Sequence, residues 1–322
     1  MSHYKAAIVG LGNIAWRFDS KTKDRQDPLT HAGAYKADDR VLVVGGCSQN
    51  SNDRSEFELL YNVPTFGSIN DLIKKTTPDI VSICSSSDAH YENILYCMDK
   101  SIPMIWLEKP PTSNLKQLDI LLEKKQQSKS TVLVNYQRRY CQPYNRLREA
   151  FQQKSLGQPV FMNITYSRGL SLNGSHLIDM AFFIAGDDEE ASLESVTCIG
   201  DLDNPSFTLR FSGGLKAFIN GSHLPYHNID ISVTCEQGRA SVIYGGMDTR
   251  WEVRREHELF PGFYRLEESG DNFLGQGGGA ESMISALDNL INSCESHSEP
   301  VSNLYTSKNT QKVLELVYNY LK

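Results

Sequence analysis

The sequence predicts two successive domains: an α/β domain with a doubly wound parallel sheet, then an α+β domain with an open, mostly antiparallel sheet. Three observations predict this fold class. Short apolar runs alternate with helical stretches in the first third, extended segments crowd together after about residue 155, and the C-terminal stretch returns to helical spacing. The 322 residues also suit two domains, at about 150 residues each.

Five apolar runs in the first third predict strands that are buried on both faces. Near-continuous runs of Ala, Val, Ile and Leu are typical of parallel sheets covered by helices. The predicted strands are residues 6–10, 41–46, 79–84, 104–107 and 131–134. The helices predicted between them are residues 54–61, 69–75, 90–100 and 113–127. Right-handed crossovers between such strands build a doubly wound sheet.

The second half predicts a different architecture. Its extended segments follow one another closely, and glycine-containing turns separate some of them, which is typical of hairpins. The predicted strands are residues 159–166, 195–200, 206–211, 216–221, 229–235, 239–244 and 251–265. Helices are predicted at residues 177–185, 280–294 and 306–321. We place the division at residue 125, so that residues 1–125 form the first domain and 126–322 the second.

Composition excludes several functional classes. Thirty-two basic and 39 acidic residues give a formal net charge of −7, so the chain lacks the overall basic charge of a nucleic-acid-binding protein. No apolar run is long enough to cross a membrane, and the N-terminal run at residues 6–9 is too short for a signal peptide. Seven dispersed cysteines without a CxxC pair favour reduced thiols over a zinc site. We therefore expect a cytoplasmic protein without metal, nucleic-acid or membrane partners.

The first predicted strand runs directly into a glycine-rich turn, G-x-G-x-x-A. Gly10 permits the tight turn, Gly12 lets the backbone approach a pyrophosphate, and Ala15 lets the following helix pack against the sheet. Asn13 and Ile14 lie at the start of that helix, where free N–H groups favour an anion. The pattern predicts a dinucleotide site of the Rossmann type.

The ribose-reading position lies after the second predicted strand. The Asp or Glu that usually contacts the 2′-hydroxyl of NAD is absent, and Ser48 occupies its position. Arg54 follows six residues later and could reach a 2′-phosphate, and Arg17 is a weaker candidate. NADP is thus slightly favoured over NAD. The alternative is that Arg54 is a solvated helix residue.

The fourth predicted strand is followed by Glu108, Lys109 and Pro110. A strand ending in Glu-Lys-Pro near residue 110, after GxGxxA at residue 10, resembles the Gfo/Idh/MocA oxidoreductases. Five further segments resemble motifs of that family in order. They are THAGAY at 30–35, VPTF at 63–66, SSSDAH at 85–90, NYQRRY at 135–140 and NGSHLID at 173–179. The resemblance implies a nicotinamide-dependent oxidoreductase whose second domain forms the substrate wall and an oligomer interface.

Two residues are the catalytic candidates. Lys109 would lie at the carboxyl edge of the parallel sheet, where its charge favours a developing alkoxide. His176 begins an apolar helix and suits proton exchange near neutral pH. The alternatives are a surface lysine paired with Glu108 and a buried histidine that caps its helix. The resemblance assigns catalysis to both residues.

The resemblance also implies the remaining site residues. Ser85, His90 and Glu108, with Lys109, would line the cofactor. The substrate contacts would be Arg139, Tyr166, Arg168, Asn173 and Asp179, although one of Arg138 and Arg139 could instead form an interdomain ion pair. Members of the family often carry Asp four residues before the histidine, where this chain has Leu172. Asn173 could replace it, Asp179 could orient His176, or the histidine acts without a carboxylate.

The predicted activity is hydride transfer to or from a secondary alcohol carbon of a sugar, cyclitol or sugar nucleotide. Lys109 would polarise the oxygen, His176 would exchange its proton, and the enzyme would be a homodimer or homotetramer. The alternative is a non-catalytic protein on the same fold that senses NAD(P) or a metabolite. Leu172 favours that alternative, whereas the presence of both Lys109 and His176 opposes it.

Overall fold

The computed structural model describes residues 3–20, 27–187, 191–270, 273–275, 279 and 281–322. The chain divides into two compact units. The first comprises residues 1–137 and 280–308, and the second comprises residues 138–279 and 309–322. Each unit has its own sheet.

The first unit contains a six-stranded parallel sheet. Its strands are β1 (Tyr4–Val9), β2 (Val41–Cys47), β3 (Thr65–Phe66), β4 (Ile80–Ile83), β5 (Met104–Leu107) and β6 (Thr131–Val134). The spatial order is β3-β2-β1-β4-β5-β6. Every residue of β4, β5 and β6 is buried, as expected for apolar runs covered on both faces. The order reverses at β1, so β1 and β4 border the topological switch point of a Rossmann sheet.

Helices connect these strands. A π-helical segment, Asn13–Arg17, leads into the short α1. The helices are α1 (Phe18–Ser20), α2 (His31–Ala37), α3 (Ser51–Tyr61), α4 (Ile69–Thr76), α5 (Ser87–Asp99) and α6 (Leu115–Gln127). Side chains of Thr30, Asn50, Ser68 and Asn114 accept hydrogen bonds from the first turns of α2, α3, α4 and α6. These caps satisfy amide groups that a helix start otherwise leaves unpaired.

The second unit contains an eight-stranded sheet and two of its own helices. The helices are α7 (Gln142–Gln152) and α8 (Ser175–Ala185). The strands are β7 (Pro159–Ser167), β8 (Leu193–Ile199), β9 (Ser206–Phe211), β10 (Lys216–Ser222), β11 (Asp230–Cys235), β12 (Gly238–Ile243), β13 (Asp248–Glu256) and β14 (Tyr264–Glu268). Their order is β14-β13-β12-β11-β7-β10-β9-β8. Strands β7 and β10 pair in parallel and the other neighbours pair antiparallel, which confirms the predicted fold class.

The last two helices return to both units. Helix α9 (Ser282–Ser296) packs against β5, β6 and α2 in the first unit. Helix α10 (Leu304–Leu321) begins in the first unit and continues in the second. The first change of unit follows residue 137, which differs from the boundary expected at residue 125. Strand β6 lies after that position, and it pairs with β5 along its whole length.

Some elements differ from the sequence-based expectation. Helices α2 and α7 were not predicted, because α2 has only seven residues and α7 carries Pro143 in its first turn, where proline is tolerated. The single strand predicted at 251–265 is instead the hairpin of β13 and β14, which turns at Pro261 and Gly262. In the described part of the chain, no helix is both long enough and apolar enough to cross a membrane.

Candidate active site

A cleft of about 550 Å³ lies at the switch point of the first unit. It is bordered by the carboxyl ends of β1, β2 and β4 and by the starts of the following helices. This edge is where open α/β sheets bind ligands. The lining residues are Val9, Gly10, Leu11, Gly12, Cys47, Ser48, Gln49, Asp53, Gly67, Ser68, Ile69, Cys84, Ser85, Ser86, Ala89 and Asn93.

The two glycines of the turn are constrained differently. Gly10 has φ +87°, and a Cβ there would lie 2.4–2.6 Å from backbone atoms of Cys84 and Ser85, so the fold itself requires glycine. Gly12 has φ −89°, and a Cβ there would have no atom of the described chain within 4 Å. The protein's own atoms therefore leave space at Gly12, as a pyrophosphate would need.

The segment after Gly12 completes this part of the site. Asn13 and Ile14 begin the π-helical segment, and Gly12 provides no side-chain cap for its amides. Ala15 is fully buried, which allows close packing on the sheet. The start of the segment therefore suits an anionic group in the cleft.

The structure separates the predicted ribose residues. Ser48 lines the cleft, and its Oγ accepts a hydrogen bond from the Asn50 amide at 3.2 Å. Arg54 is turned to the backbone: its Nη1 donates to the carbonyls of Ser48 and Gln49 at 2.7 and 3.0 Å. Asp53, which was not predicted, lines the cleft instead. The Asn50 cap places α3 three residues earlier than predicted and Asp53 in its first turn, so the cap is the signal that could have found it.

His90 connects two loops and is not among the residues that line the cleft. It is 1% exposed, and its Nδ1 and Nε2 lie 2.7 and 3.0 Å from the carbonyls of Pro110 and Ser85. This placement differs from the expected contact between His90 and the cofactor, because both ring nitrogens face backbone oxygens. Ser85 does line the cleft, and its Oγ accepts from Asn93 Nδ2 at 3.0 Å.

Glu108 is held in a buried hydrogen-bond chain at the end of β5. His31 Nε2 lies 3.0 Å and Asn135 Nδ2 lies 2.6 Å from Glu108 Oε1. His31 Nδ1 lies 2.8 Å from Ser82 Oγ, which in turn lies 2.5 Å from Tyr35 Oη. A His31 tautomer that donates from Nε2 satisfies the whole chain, with Ser82 donating to Nδ1 and Tyr35 donating to Ser82.

This environment keeps Glu108 ionised. Burial by itself would raise the pKa of the carboxyl group, but hydrogen bonds from His31 and Asn135 and the charge of Lys109 lower the pKa below its usual value. The Lys109 amide donates to Glu108 Oε2 at 3.3 Å. Glu108 thus orders the loop that carries Lys109, which is half-buried.

In the second unit, Arg139 and Asp179 form a buried ion-pair cluster. Arg139 Nε and Nη2 donate to the two Asp179 oxygens at 2.8 and 2.9 Å, and Nη1 donates to Asp187 at 2.7 Å. Arg139 and Asp179 have side chains with 0% exposure. This differs from the predicted substrate contacts, because both side chains are buried and hydrogen-bonded to each other within the unit, and Arg139 also binds Asp187. Because Arg139 binds Asp179, the structure also differs from the option that Asp179 orients His176. His176 is half-buried and is the second residue of α8.

Two other predicted substrate residues come together around His227. Asn173 Nδ2 donates to the Ser167 carbonyl at 2.8 Å and lies 3.2 Å from His227 Nδ1. Arg168 Nη1 lies 3.1 Å from His227 Nε2. Tyr166, by contrast, is fully buried and donates to the Pro205 carbonyl at 2.7 Å, so it is a structural contact. His227 was not predicted as a site residue, because 54 residues separate it from Asn173.

The arrangement of these groups involves no evident metal cluster. Among the described residues, no group of three or more His, Cys, Asp or Glu side chains could hold a metal ion.

Comparisons with known proteins agree with this fold. The Gfo/Idh/MocA model, an oxidoreductase family with an NAD-binding Rossmann fold, matches residues 4–136. Myo-inositol 2-dehydrogenase of Thermotoga maritima is 25% identical over 259 residues, which cover 73% of this chain and 74% of the relative.

Solved structures match nearly the whole chain. The WlbA dehydrogenase of Bordetella pertussis, in complex with NADH and UDP-GlcNAcA, has a TM-score of 0.80 at 17% identity and covers 99% of this chain and 96% of its own. An oxidoreductase of Agrobacterium radiobacter in complex with NAD+, L-tartaric acid and magnesium has a TM-score of 0.78 at 14% identity, with 99% and 96% coverage. At these identities the structural likeness shows the fold.

Proposed function

We propose that this chain, whose residues 4–136 match the Gfo/Idh/MocA family of oxidoreductases, is an NAD(P)-dependent dehydrogenase that oxidises or reduces a secondary alcohol carbon of a sugar, cyclitol or sugar nucleotide. The observation that carries the proposal is the cleft at the switch point, where Gly12 leaves space that no protein atom of the described chain requires. A bound nicotinamide dinucleotide would supply hydride donation or acceptance.

Gly10, Gly12, Asn13, Ile14 and Ala15 would hold the pyrophosphate of that cofactor. The fit rests on the missing side chain at Gly12 and on the uncapped start of the π-helical segment. Both features suit a bulky anion next to the backbone.

Lys109 would stabilise negative charge on the substrate oxygen. It follows β5 at the carboxyl edge of the sheet, and the anchored Glu108 orders its loop. A cation held in advance of the reaction favours the alkoxide-like oxygen of the transition state over the neutral hydroxyl. Electrostatic stabilisation of this kind is the role assigned to Lys109 in the proposal.

His176 would exchange the hydroxyl proton. An imidazole titrates near neutral pH and can act as base in one direction and acid in the other. Leu172 offers no carboxylate, and Asp179 is engaged by Arg139. We therefore assign His176 a role without a carboxylate partner from either position.

Arg168 and Asn173, together with His227, would contact polar groups of the substrate. They present a guanidinium, an amide and an imidazole in one hydrogen-bonded cluster, which suits hydroxyl-rich or anionic molecules. The names of the relatives favour this class, since one is an inositol dehydrogenase and another was solved with a nucleotide sugar.

The second candidate function is sensing of NAD(P) or a metabolite without turnover. It is favoured by Leu172, which stands where relatives in this family often have a carboxylate and which is 54% exposed. A homodimer or homotetramer in the cytoplasm completes the proposal for either function.

The first test is a fluorescence titration of cofactor-stripped protein with NADH and with NADPH, followed by a turnover screen with sugars, cyclitols and nucleotide sugars. Binding with turnover supports the dehydrogenase. Binding without turnover across the screen favours the sensor. If folded protein binds neither cofactor, the dehydrogenase and the NAD(P) sensor are both wrong, and only sensing of a metabolite is left.

The role of Lys109 is tested by Lys109→Met in the same assays. Loss of an electrostatic stabiliser typically lowers kcat by about 10²–10³, whereas cofactor affinity should stay within about threefold. Lys116→Met, on the exposed side of α6, is the matched control and should leave turnover unchanged. Turnover that survives Lys109→Met would contradict the assigned role.

A further inference from the structure

An acidic side chain lies in the cleft close to Ser48, the position at which an Asp or Glu usually contacts the ribose of NAD. Asp53 is the third residue of α3 and lines the cleft together with Gly12 and Ser48. Its Oδ2 lies 3.4 Å from Ser48 Oγ, and its side chain is 19% exposed. A hydroxyl and a carboxylate therefore stand side by side just after β2, where the adenosine ribose of a bound dinucleotide lies in a Rossmann domain.

The second oxygen of Asp53 is fixed by an arginine. Arg17 Nη2 donates to Asp53 Oδ1 at 2.7 Å and to Glu56 Oε2 at 2.8 Å. These two hydrogen bonds raise the pKa of Arg17 above its usual value. Because Arg17 holds Oδ1, the orientation of the carboxylate is set and Oδ2 stays directed toward Ser48.

The basic residues near the ribose position are thus already engaged. Arg54 is held on two backbone carbonyls, and Arg17 is shared by two carboxylates. The cluster of Arg17, Asp53 and Glu56 carries a charge of 1 − 2 = −1 on the Asp53 side of the cleft, while Arg54 directs its guanidinium to the Ser48 and Gln49 carbonyls. A 2′-phosphate carries roughly −1.5 to −2 at neutral pH, so it would be repelled there, whereas a 2′-hydroxyl can donate to a carboxylate oxygen.

We propose that Asp53 reads the 2′-hydroxyl of the adenosine ribose and makes this chain specific for NAD rather than NADP. The proposal rests on the proposed dinucleotide site. It reverses the slight preference for NADP that Ser48 and Arg54 suggest in the sequence. The proposed specificity residue therefore lies in the first turn of α3, five positions beyond Ser48, and not at the end of β2.

The test is a fluorescence titration of the wild type, Asp53→Asn and Glu56→Gln with NADH and with NADPH. The wild type should bind NADH at least about tenfold more tightly than NADPH, since a hydrogen bond to a charged group is worth this much or more. Asp53→Asn should lower NADH affinity about tenfold and improve NADPH affinity, because it removes the repelling charge and releases Arg17. Glu56→Gln also removes an Arg17 partner and one negative charge, but Glu56 does not line the cleft and would not contact the ribose, so NADH affinity should change less than about threefold.

Asp53→Ser serves as a second variant if Asp53→Asn does not fold. Wild-type protein that binds NADPH as tightly as NADH overturns the specificity and leaves the dehydrogenase proposal intact. A NADH/NADPH ratio unchanged by both Asp53 substitutions also overturns it. Folded wild type that binds neither cofactor overturns the proposed function and this inference together.

Discussion

Gly10 and Gly12 belong to one motif, but the surrounding structure constrains them differently. Gly10 is required by backbone geometry and by the close approach of β4, whereas Gly12 is required by nothing in the described chain. A residue that the protein itself does not require is a sensitive probe for a ligand, because its substitution separates binding from folding.

Gly12→Val should therefore leave thermal stability nearly unchanged and weaken NADH binding by at least about a hundredfold. The valine side chain would occupy the space where the backbone has to approach the pyrophosphate. Differential scanning fluorimetry and cofactor titration measure the two effects. Gly10→Ala is the contrasting variant and should lose more than about 1 kcal/mol of unfolding free energy, since alanine is strained at positive φ. Equal cofactor binding by Gly12→Val and wild type would refute the assigned site.

His31 shows how a second residue can control the charge of a first. The pKa of Glu108 is lowered in the folded protein, so Glu108 stabilises the fold above its unfolded pKa, and this contribution is lost as pH falls through the folded pKa. His31 supplies one of the hydrogen bonds that hold this pKa down.

His31→Leu should lower the unfolding free energy at neutral pH by about 1.5–3 kcal/mol, because it removes one of the hydrogen bonds to a buried carboxylate. The difference from wild type should shrink on acidification, as protonation of Glu108 removes the charge. Urea denaturation across a pH series measures it. His31→Gln, whose amide can still donate, should recover part of the loss. A deficit that does not depend on pH would show that packing against Trp106, not the charge of Glu108, explains the effect.

Among the elements, α8 depends on a single buried ion-pair cluster. The helix is apolar on almost every side, with Leu177, Ile178 and Phe182 in the core of the second unit. Asp179 is the charged exception, and Arg139 neutralises it. Burial raises the pKa of Asp179 to about 6, and the charge of Arg139 opposes that rise.

Arg139→Met should destabilise the protein by about 3–5 kcal/mol, because an uncompensated carboxylate would remain in the core. Chemical denaturation measures the loss. Asp187→Asn removes the more exposed partner of Arg139, at 14% exposure, and should cost clearly less. Full turnover and stability in Arg139→Met would contradict the structural role and restore Arg139 as a candidate for the substrate site.

The elements also show where local patterns were sufficient. Strands β4, β5 and β6 are buried throughout, so their apolar composition and their environment coincide. The local sequence of helix α2, by contrast, predicts its structure poorly. Its seven residues include Gly33, and it is stabilised by the Thr30 cap and by packing of Tyr35 on Trp106, which is 71 positions away in the chain.

At the scale of the whole molecule, the first unit is discontinuous. Helix α9 comes from residues 282–296, yet it packs on β5 and β6. Five apolar residues of that helix are fully or almost fully buried. They are Met283, Ala286, Leu287, Leu290 and Ile291. The N-terminal segment by itself therefore lacks one cover of its sheet.

A fragment of residues 1–137 should accordingly not reach the stability of the complete first unit. Without α9 it exposes part of the apolar surface around β5 and β6, and exposed apolar surface costs about 25 cal/mol per Å². We expect weak or absent cooperative unfolding and binding of a hydrophobic dye, measured beside the full chain. A fragment that unfolds cooperatively at the same temperature as the full chain would show that α9 is dispensable.

The fold class, nearly all strands and the turn at Gly10 and Gly12 could be predicted from the sequence. These features are local, since a strand–turn–helix with two glycines has the same meaning wherever it lies in a chain. Ser48 and Ser85, which the sequence predicts as cofactor contacts, line the cleft.

The contacts between distant side chains could not be predicted in this way and follow from the folded chain. Glu108 meets His31 across 77 positions, Asn173 meets His227 across 54, and Asp53 faces the cleft because α3 starts at its Asn50 cap. Arg54 and Arg139, which looked available for ligands, are engaged by carbonyls and carboxylates. The physical reason is that the availability of a charged group depends on every partner within a few ångströms, and chain order does not specify those partners.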